Sequence, residues 1–267
     1  MIKKISIIAL VLLLVGIVGS LLTFRSVNVL EPVSEEQVIN NQNITAIEVE
    51  TQNSTVEIVP TKDADIKIEL TGKTTGDSKQ DLSAEINGTT LNIKLKDQRQ
   101  KFFNLNFNNF SESFTLKVYL PEKEYASLKI NSNNGRIQLE QLKVKDIFAE
   151  SDNGRIELKN ITSTNVNVKT DNGRITLDYV DGKIKGKSSN GRISVLTKDL
   201  DRPMELNTDN GRIEIQTEKE PTNTTFDVNT DNGSIDILDK YNENAVIGKG
   251  ENLIRLSTSN GRISVTK

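Results

Sequence analysis

A short motif, Asn-Gly followed by one residue and then Ile, recurs seven times after residue 130 and constrains the fold of this chain more than any other feature. Six copies have Arg in the third position, and one has Ser. Successive motif glycines are separated by 19, 19, 18, 20, 22 and 28 residues. Repeats of this length indicate stacked structural units. The Asn-Gly pairs are Asn134-Gly135, Asn153-Gly154, Asn172-Gly173, Asn190-Gly191, Asn210-Gly211, Asn232-Gly233 and Asn260-Gly261.

The residues around each Asn-Gly pair alternate between apolar and polar, which predicts a half-buried β-strand on either side of a turn. Val168 and Thr170 precede one pair, and Ile175 follows it. Asn and Gly both tolerate positive φ, so we expect the pair to form a sharp corner. The spacing allows Thr170 and Ile175 to point inward while Arg174 points outward.

One copy of the repeat cannot bury enough apolar surface to offset the entropy of ordering its backbone, so it needs neighbours on both sides. The predicted fold class is therefore all-β, a β-solenoid (β-helix) of stacked coils of about 19 residues. A row of antiparallel hairpins is the alternative, because Asn-Gly is also a strong hairpin signal. Identical residues at every turn favour stacked coils, which gain from identical columns.

The N-terminal region predicts one transmembrane helix ahead of this solenoid. Residues 5–24 carry no charge, and a helix of that length spans about 30 Å, the thickness of a bilayer core. A cleaved signal peptide is the alternative. Lysines before the segment and acidic residues after it place residues 1–4 in the cytoplasm and the rest of the chain outside, as a single-pass protein of the cell membrane.

The rest of the chain divides into three predicted regions: a polar stalk at 25–43, an irregular β region at 44–126, and the repeat solenoid at 127–267. Gln52-Asn53-Ser54 resembles a degenerate copy of the turn. Segment 101–110 holds four of the eight phenylalanines, which predicts a plug over the solenoid end or an exposed apolar contact. The long last step suggests that residues 239–252 fold over or beside the last coil.

Composition excludes several functional classes. The chain has no Cys and no His, which removes disulfides, thiolate nucleophiles, Cys-based zinc sites and histidine bases. A net charge of −3 argues against nucleic-acid binding. No acidic cluster stands apart from the repeat, and the period does not fit a calcium-binding β-roll. We therefore predict no enzyme activity, no cofactor and no metal, with a polysaccharide lyase or hydrolase as a weak alternative.

The arginines that follow the motif glycines are the candidate binding residues. Stacking would place like charges about 5 Å apart, so something must neutralise them. Aspartates two positions before the glycines, at 152, 171, 209 and 231, could form an ion-pair ladder with them. The alternative is that the column grips an extended anionic cell-wall polymer. The candidates are Arg136, Arg155, Arg174, Arg192 and Arg212.

A strand ending in Leu120-Pro121, followed by tandem Asn-Gly-x-Ile repeats, resembles the bacterial "putative adhesin" domain of unknown function. With a membrane anchor before it, the chain looks like the LiaG-type envelope proteins of Gram-positive bacteria. The resemblance covers residues 44–267 and implies a β-solenoid without catalytic residues.

Together these features predict non-catalytic adhesion or binding at the bacterial cell envelope. The partners would be the membrane, through residues 5–24, and an anionic cell-wall polymer or a membrane protein. The alternative is an accessory or regulatory protein of an envelope-stress response that acts on a membrane partner.

Overall fold

The computed structural model describes the backbone of residues 2–27, 30–75, 78–99 and 113–267. Side chains are described for residues 6–20, 31–74, 80–96 and 114–267. The Phe-rich segment 101–110 lies outside the described residues.

The described residues form one helix and nineteen strands, so the chain is all-β apart from its N-terminus. The helix is α1 (Ile2–Val27), and the strands are β1 (Leu30–Ile39), β2 (Ala46–Thr51), β3 (Ser54–Thr61), β4 (Ile66–Thr75), β5 (Ser78–Asn87), β6 (Thr90–Arg99), β7 (Ser113–Pro121), β8 (Glu124–Ser132), β9 (Ile137–Glu140), β10 (Lys143–Ser151), β11 (Ile156–Thr170), β12 (Ile175–Val180), β13 (Lys183–Ser188), β14 (Ile193–Thr197), β15 (Met204–Asn210), β16 (Ile213–Thr217), β17 (Thr224–Ile237), β18 (Ala245–Ile247) and β19 (Asn252–Thr266).

Helix α1 covers the uncharged N-terminal stretch, and its described side chains, residues 6–20, are all exposed. Over the described part of the chain, no helix combines the length and the apolar character that crossing a bilayer requires. The membrane anchor at residues 5–24 stays a prediction.

The strands build a β-solenoid from two stacks of parallel strands, and each coil contributes one strand to each stack. The first stack runs β6, β2, β8, β10, the second half of β11, β13, β15, and the first halves of β19 and β17. The second runs β7, β3, β9, the first half of β11, β12, β14, β16, and the second halves of β19 and β17. Equivalent strands of successive coils are parallel, so the hairpin alternative is wrong.

The coils do not stack in chain order at either end of the solenoid. The β2–β3 coil lies between the β6–β7 coil and the β8–β9 coil. The β19 coil, although last in the chain, lies between the β15–β16 coil and β17. The penultimate copy of the repeat, in β17, is therefore the terminal coil in space.

Antiparallel strands extend both stacks at the N-terminal end. Strand β5 pairs with β6, while β4 pairs with β7 and β1 pairs with β4. The interval 25–43, expected to be a stalk, thus contains a ten-residue strand joined to the sheet. The sequence pattern did not reveal this strand because half of its residues are polar and its partner residues in β4 lie 27 to 45 positions further along the chain.

The insertion between the last two copies covers the exposed edge of the terminal coil. Strand β18 pairs antiparallel with Thr224–Phe226 of β17. The Asn244 side chain accepts a hydrogen bond from the Val228 amide at 2.7 Å, and Tyr241 exchanges backbone bonds with Ile237. Residues 239–252 therefore fold beside a coil edge as predicted, although that edge belongs to β17.

One hydrophobic cluster runs between the two stacks. The isoleucines of the motif align in register from coil to coil, and six of them are fully buried: Ile137, Ile156, Ile175, Ile193, Ile213 and Ile263. Ile235, in the terminal coil, is only partly buried because no further coil covers it. The core thus confirms the predicted inward column.

Candidate functional site

The corner that joins the two strands of each coil places Asn, Gly and Arg in three parallel columns on the surface. The Asn side chains form a continuous ladder in which each Nδ2 donates to the Oδ1 of the neighbouring coil, at 2.7–3.1 Å. In spatial order the ladder contains Asn53, Asn134, Asn153, Asn172, Asn190, Asn210, Asn260 and Asn232.

The corner glycines are required by close stacking. A Cβ added to Gly173 would lie 1.8 Å from the Gly154 carbonyl oxygen, and at Gly191 it would lie 1.6 Å from that of Gly173. None of the seven motif glycines has positive φ. The corner therefore forms without positive φ at the glycine, and the constraint on this position is the approach of the next coil.

A buried hydroxyl holds each corner from inside. The Ser151 Oγ accepts a hydrogen bond from the Gly154 amide at 2.9 Å, and the Thr170 hydroxyl donates to the Gly154 carbonyl at 3.0 Å. Equivalent bonds link later coils through Ser188, Thr208, Thr258 and Thr230. These inward hydroxyls fix the corner rigidly, so the outward side chains stand on a defined backbone.

The arginines beside this ladder divide into two groups. Three of them form ion pairs with a carboxylate: Arg136 with Glu157 at 3.7 Å, Arg192 with Glu214 at 3.5 Å and Arg262 with Asp236 at 3.1 Å. Arg155, Arg174 and Arg212 are exposed, and their side chains have no ion-pair or hydrogen-bond partner among the described residues.

Whether an arginine is paired depends on the residue that lies opposite it in the next coil of the stack. This residue comes three positions after the motif glycine of that coil, and we call it the pairing position. This position holds an acidic residue opposite each paired arginine. Opposite Arg155, Arg174 and Arg212 it holds Thr176, Ser194 and Ser264, respectively. The aspartates expected as partners, at 152, 171, 209 and 231, form no ion pair with these arginines. The paired arginines use other carboxylates instead, so the predicted ion-pair ladder with these aspartates is wrong.

A shallow groove of about 450 Å³ follows the corner along four coils. It is lined by the asparagines, glycines and arginines of the repeated motif. The groove brings together four of the five predicted arginines: Arg155, Arg174, Arg192 and Arg212. Arg136, in the coil before them, is not part of its lining.

Sequence reasoning missed Arg262 and the pairing position. Arg262 follows Gly261 in the same motif, and its own sequence context was sufficient to include it. The pairing position recurs in the sequence with the same period as the glycines. The arginine that faces it lies in the neighbouring coil, so this arginine can be identified only once the order of the coils is known.

The environment moves the pKa values of several side chains further from pH 7. Burial raises the pKa of Tyr125 to about 12. A hydrogen bond from Lys67 lowers the pKa of Glu69, and the same bond raises the pKa of Lys67. Among the described residues no group of His, Cys, Asp and Glu could hold a metal ion.

Comparisons with known proteins place the chain among bacterial β-repeat proteins. The Toastrack DUF4097 family matches residues 44–183 and 151–266. The Bacillus subtilis (strain 168) protein YvlB, described as uncharacterized, is 28% identical over 108 residues. That match covers 40% of this chain and 29% of YvlB, so the chain spans less than a third of this relative.

Solved structures are similar to this chain at low sequence identity. A "putative adhesin" from Bacteroides fragilis NCTC 9343 has a TM-score of 0.51 and 11% identity, over 88% of this chain and 97% of that one. A "putative cell adhesion protein" from Clostridium sporogenes ATCC 15579 has a TM-score of 0.42 and 13% identity, over 88% and 99% of the two chains.

Proposed function

Because this chain belongs to the Toastrack DUF4097 family, we propose that it is a non-catalytic binding protein of the bacterial cell envelope. The proposed ligand is an extended anionic polymer that lies in the corner groove, parallel to the solenoid axis. The name of the Bacteroides fragilis structure, an adhesin, agrees with a binding role.

The unpaired arginines carry the proposal. Arg155 and Arg174 lie in adjacent coils, about 4.8 Å apart along the axis, so their charges repel by about 0.9 kcal/mol even at the dielectric constant of water. Each guanidinium can donate bidentate hydrogen bonds to a carboxylate or phosphate. A bound polyanion would therefore relieve repulsion that the protein itself leaves uncompensated.

The rigidity of the corner supports the same role. The Asn ladder and the buried hydroxyls fix the backbone under each arginine, so little ordering of the backbone is needed when a ligand binds. The repeat also presents equivalent groups at a regular spacing, which suits a ligand that is itself a repeating polymer.

Placement at the envelope is the finer part of the proposal. The uncharged stretch at residues 5–24 and the exposed apolar side chains of the described part of α1 support a membrane anchor that displays the solenoid outside the cell. A regulatory role in an envelope-stress response, through a membrane partner, stays a second prediction, since no feature of the described residues selects it.

Adding carboxylates at the pairing position tests the groove without removing an arginine. In a Thr176→Glu and Ser194→Glu double variant, each new carboxylate lies opposite an unpaired arginine, as Glu157 lies opposite Arg136. We expect retention on immobilised polygalacturonate at low salt to fall about tenfold or more. Both positions are on the outer face of their strands, so the midpoint of thermal unfolding should change little.

Glu214→Ser is the matched opposite change. It removes the partner of Arg192 and leaves four unpaired arginines in consecutive coils, at 155, 174, 192 and 212, so retention on the same resin should increase. If the double variant and Glu214→Ser both bind as the wild type does, the groove is not the binding site. Capture from intact envelopes, separated into wall-polymer and membrane-protein fractions, then distinguishes the two proposed roles.

A further inference from the structure

A second surface trough continues from the corner groove onto the outer face of the second strand stack. Its volume is about 460 Å³, and it follows β12, β14, β16 and the end of β19. Arg212 lines both depressions, so they meet at this unpaired arginine. A ligand that leaves the groove at Arg212 would enter the trough.

The trough differs from the groove in its chemistry. Its outward side chains include Ser194, Gln216, Ser264 and Thr266, which form no side-chain hydrogen bond with other described residues. The apolar side chain of Leu196 lies partly exposed among them. Hydroxyl and amide groups around a small apolar patch match the surface of a sugar ring, which presents hydroxyls at its rim and C–H groups on its faces.

Two carboxylates in the trough limit what can lie there. Glu214 is paired with Arg192, whereas Asp178 has no ion-pair partner among the described residues. A polyphosphate chain presents charged oxygens on every side and has no hydroxyl donor, so it would be repelled where it passes Asp178. A sugar unit with a single carboxylate can instead turn a hydroxyl toward Asp178. A sugar hydroxyl would instead donate a hydrogen bond to this carboxylate, and such charge-assisted bonds are stronger than neutral ones.

We propose that the polymer bound by the groove is an anionic polysaccharide. Its acidic groups lie on the unpaired arginines, and the hydroxyls of the sugars beyond Arg212 bond to the trough. This inference rests on the proposed function, because it names the ligand class of that same arginine site. A polymer of phosphates alone could use the arginines but would meet repulsion from Asp178 in the trough.

The test compares three probes on the full-length protein: polygalacturonate, long-chain polyphosphate, and the neutral glucan pullulan. The trough variant combines Gln216→Ala and Ser264→Ala, which removes two outward polar groups without touching an arginine. We expect its affinity for polygalacturonate to fall about tenfold, in line with the loss of two hydrogen bonds, while its affinity for polyphosphate is unchanged. Asp178→Ala should strengthen polyphosphate binding and weaken polygalacturonate binding.

The outcomes separate the two levels of the proposal. Two results together support the inference. The wild-type protein binds polygalacturonate more tightly than polyphosphate, and the trough variant loses affinity for polygalacturonate only. Equal binding of both anions, unaffected by the trough variant, overturns it and leaves the arginine groove intact. If neither anion binds, the proposed function itself fails, and binding of pullulan alone would indicate a neutral glycan site.

Discussion

At the scale of single residues, the corner shows why one glycine recurs in every coil. The carbonyl oxygen of each glycine occupies the space in which the Cβ of its neighbour would lie. Asn beside it supplies both a donor and an acceptor, so one side chain serves the coils on both sides. The motif is therefore a stacking element, and identical residues recur because each contacts a copy of itself.

A glycine substitution distinguishes stacking from backbone conformation. Gly173→Ala should lower the free energy of unfolding in urea by about 3 kcal/mol or more, because the methyl group meets a backbone carbonyl that cannot move alone. Gly88→Ala is the control. Gly88 has φ +63° and open space around it, so only conformational strain of about 1–2 kcal/mol is expected. Equal losses at the two sites would contradict the stacking explanation.

At the scale of elements, loops outside the corners carry their own interactions. Asp201, between β14 and β15, accepts hydrogen bonds from both the amide and the hydroxyl of Thr222, and from the Asn223 amide and the Thr224 hydroxyl, at 2.7–3.1 Å. Burial alone would raise the pKa of this carboxyl, but the hydrogen bonds outweigh it and lower the pKa. One carboxylate thus ties the β14–β15 loop to the start of β17.

The direction of that shift predicts a pH dependence. Because the pKa of Asp201 is lower in the folded than in the unfolded protein, its stabilisation is present above the unfolded value, near about 4, and is lost as the pH falls. Asp201→Asn should therefore reduce the unfolding free energy at pH 7 by about 1–3 kcal/mol. Urea unfolding at pH 7 and pH 3 checks this, and a difference between wild type and variant that does not shrink at pH 3 would refute it.

At the scale of the whole molecule, the first coil in the chain and the last coil in the chain each lie one coil inside the end of the solenoid. Strand β17 pairs only with β18 and β19 among the described strands. The terminal coil is therefore held to the solenoid by a strand that is synthesised after it. In a quasi-one-dimensional array each unit depends on its neighbours, so loosening β19 should also release β17.

Gly261→Val tests this dependence, since its side chain would meet the Gly211 carbonyl oxygen, which lies 1.6 Å from the Cβ position. Hydrogen exchange should show loss of protection in β17 as well as in β19. Gly135→Val introduces the same clash in a distant coil and should leave β17 protected. Protected β17 amides in Gly261→Val would mean that β17 can stack directly on the β15–β16 coil.

Coil order also decides the charge pattern of the candidate site. Had the coils stacked in chain order, Arg212 would face Asp236 of β17 and be paired. Because β19 is inserted between them, Ser264 lies opposite Arg212, and Asp236 forms its ion pair with Arg262. The unpaired arginine at which groove and trough meet therefore exists only because the last two coils are exchanged.

The amino-acid sequence alone determines the all-β class, the coil length, the inward Ile and Ser/Thr columns and the outward arginines, because these follow from local alternation around a repeated turn. The same pattern also identified the degenerate copy of the turn that contains Asn53. The order of the coils and the polar strand β1 were decided only by the tertiary structure. Since the coils are nearly equivalent in sequence, the local pattern does not determine which coil stacks on which. The order of the coils depends on which coil edges are covered by the antiparallel strands β1, β4, β5 and β18.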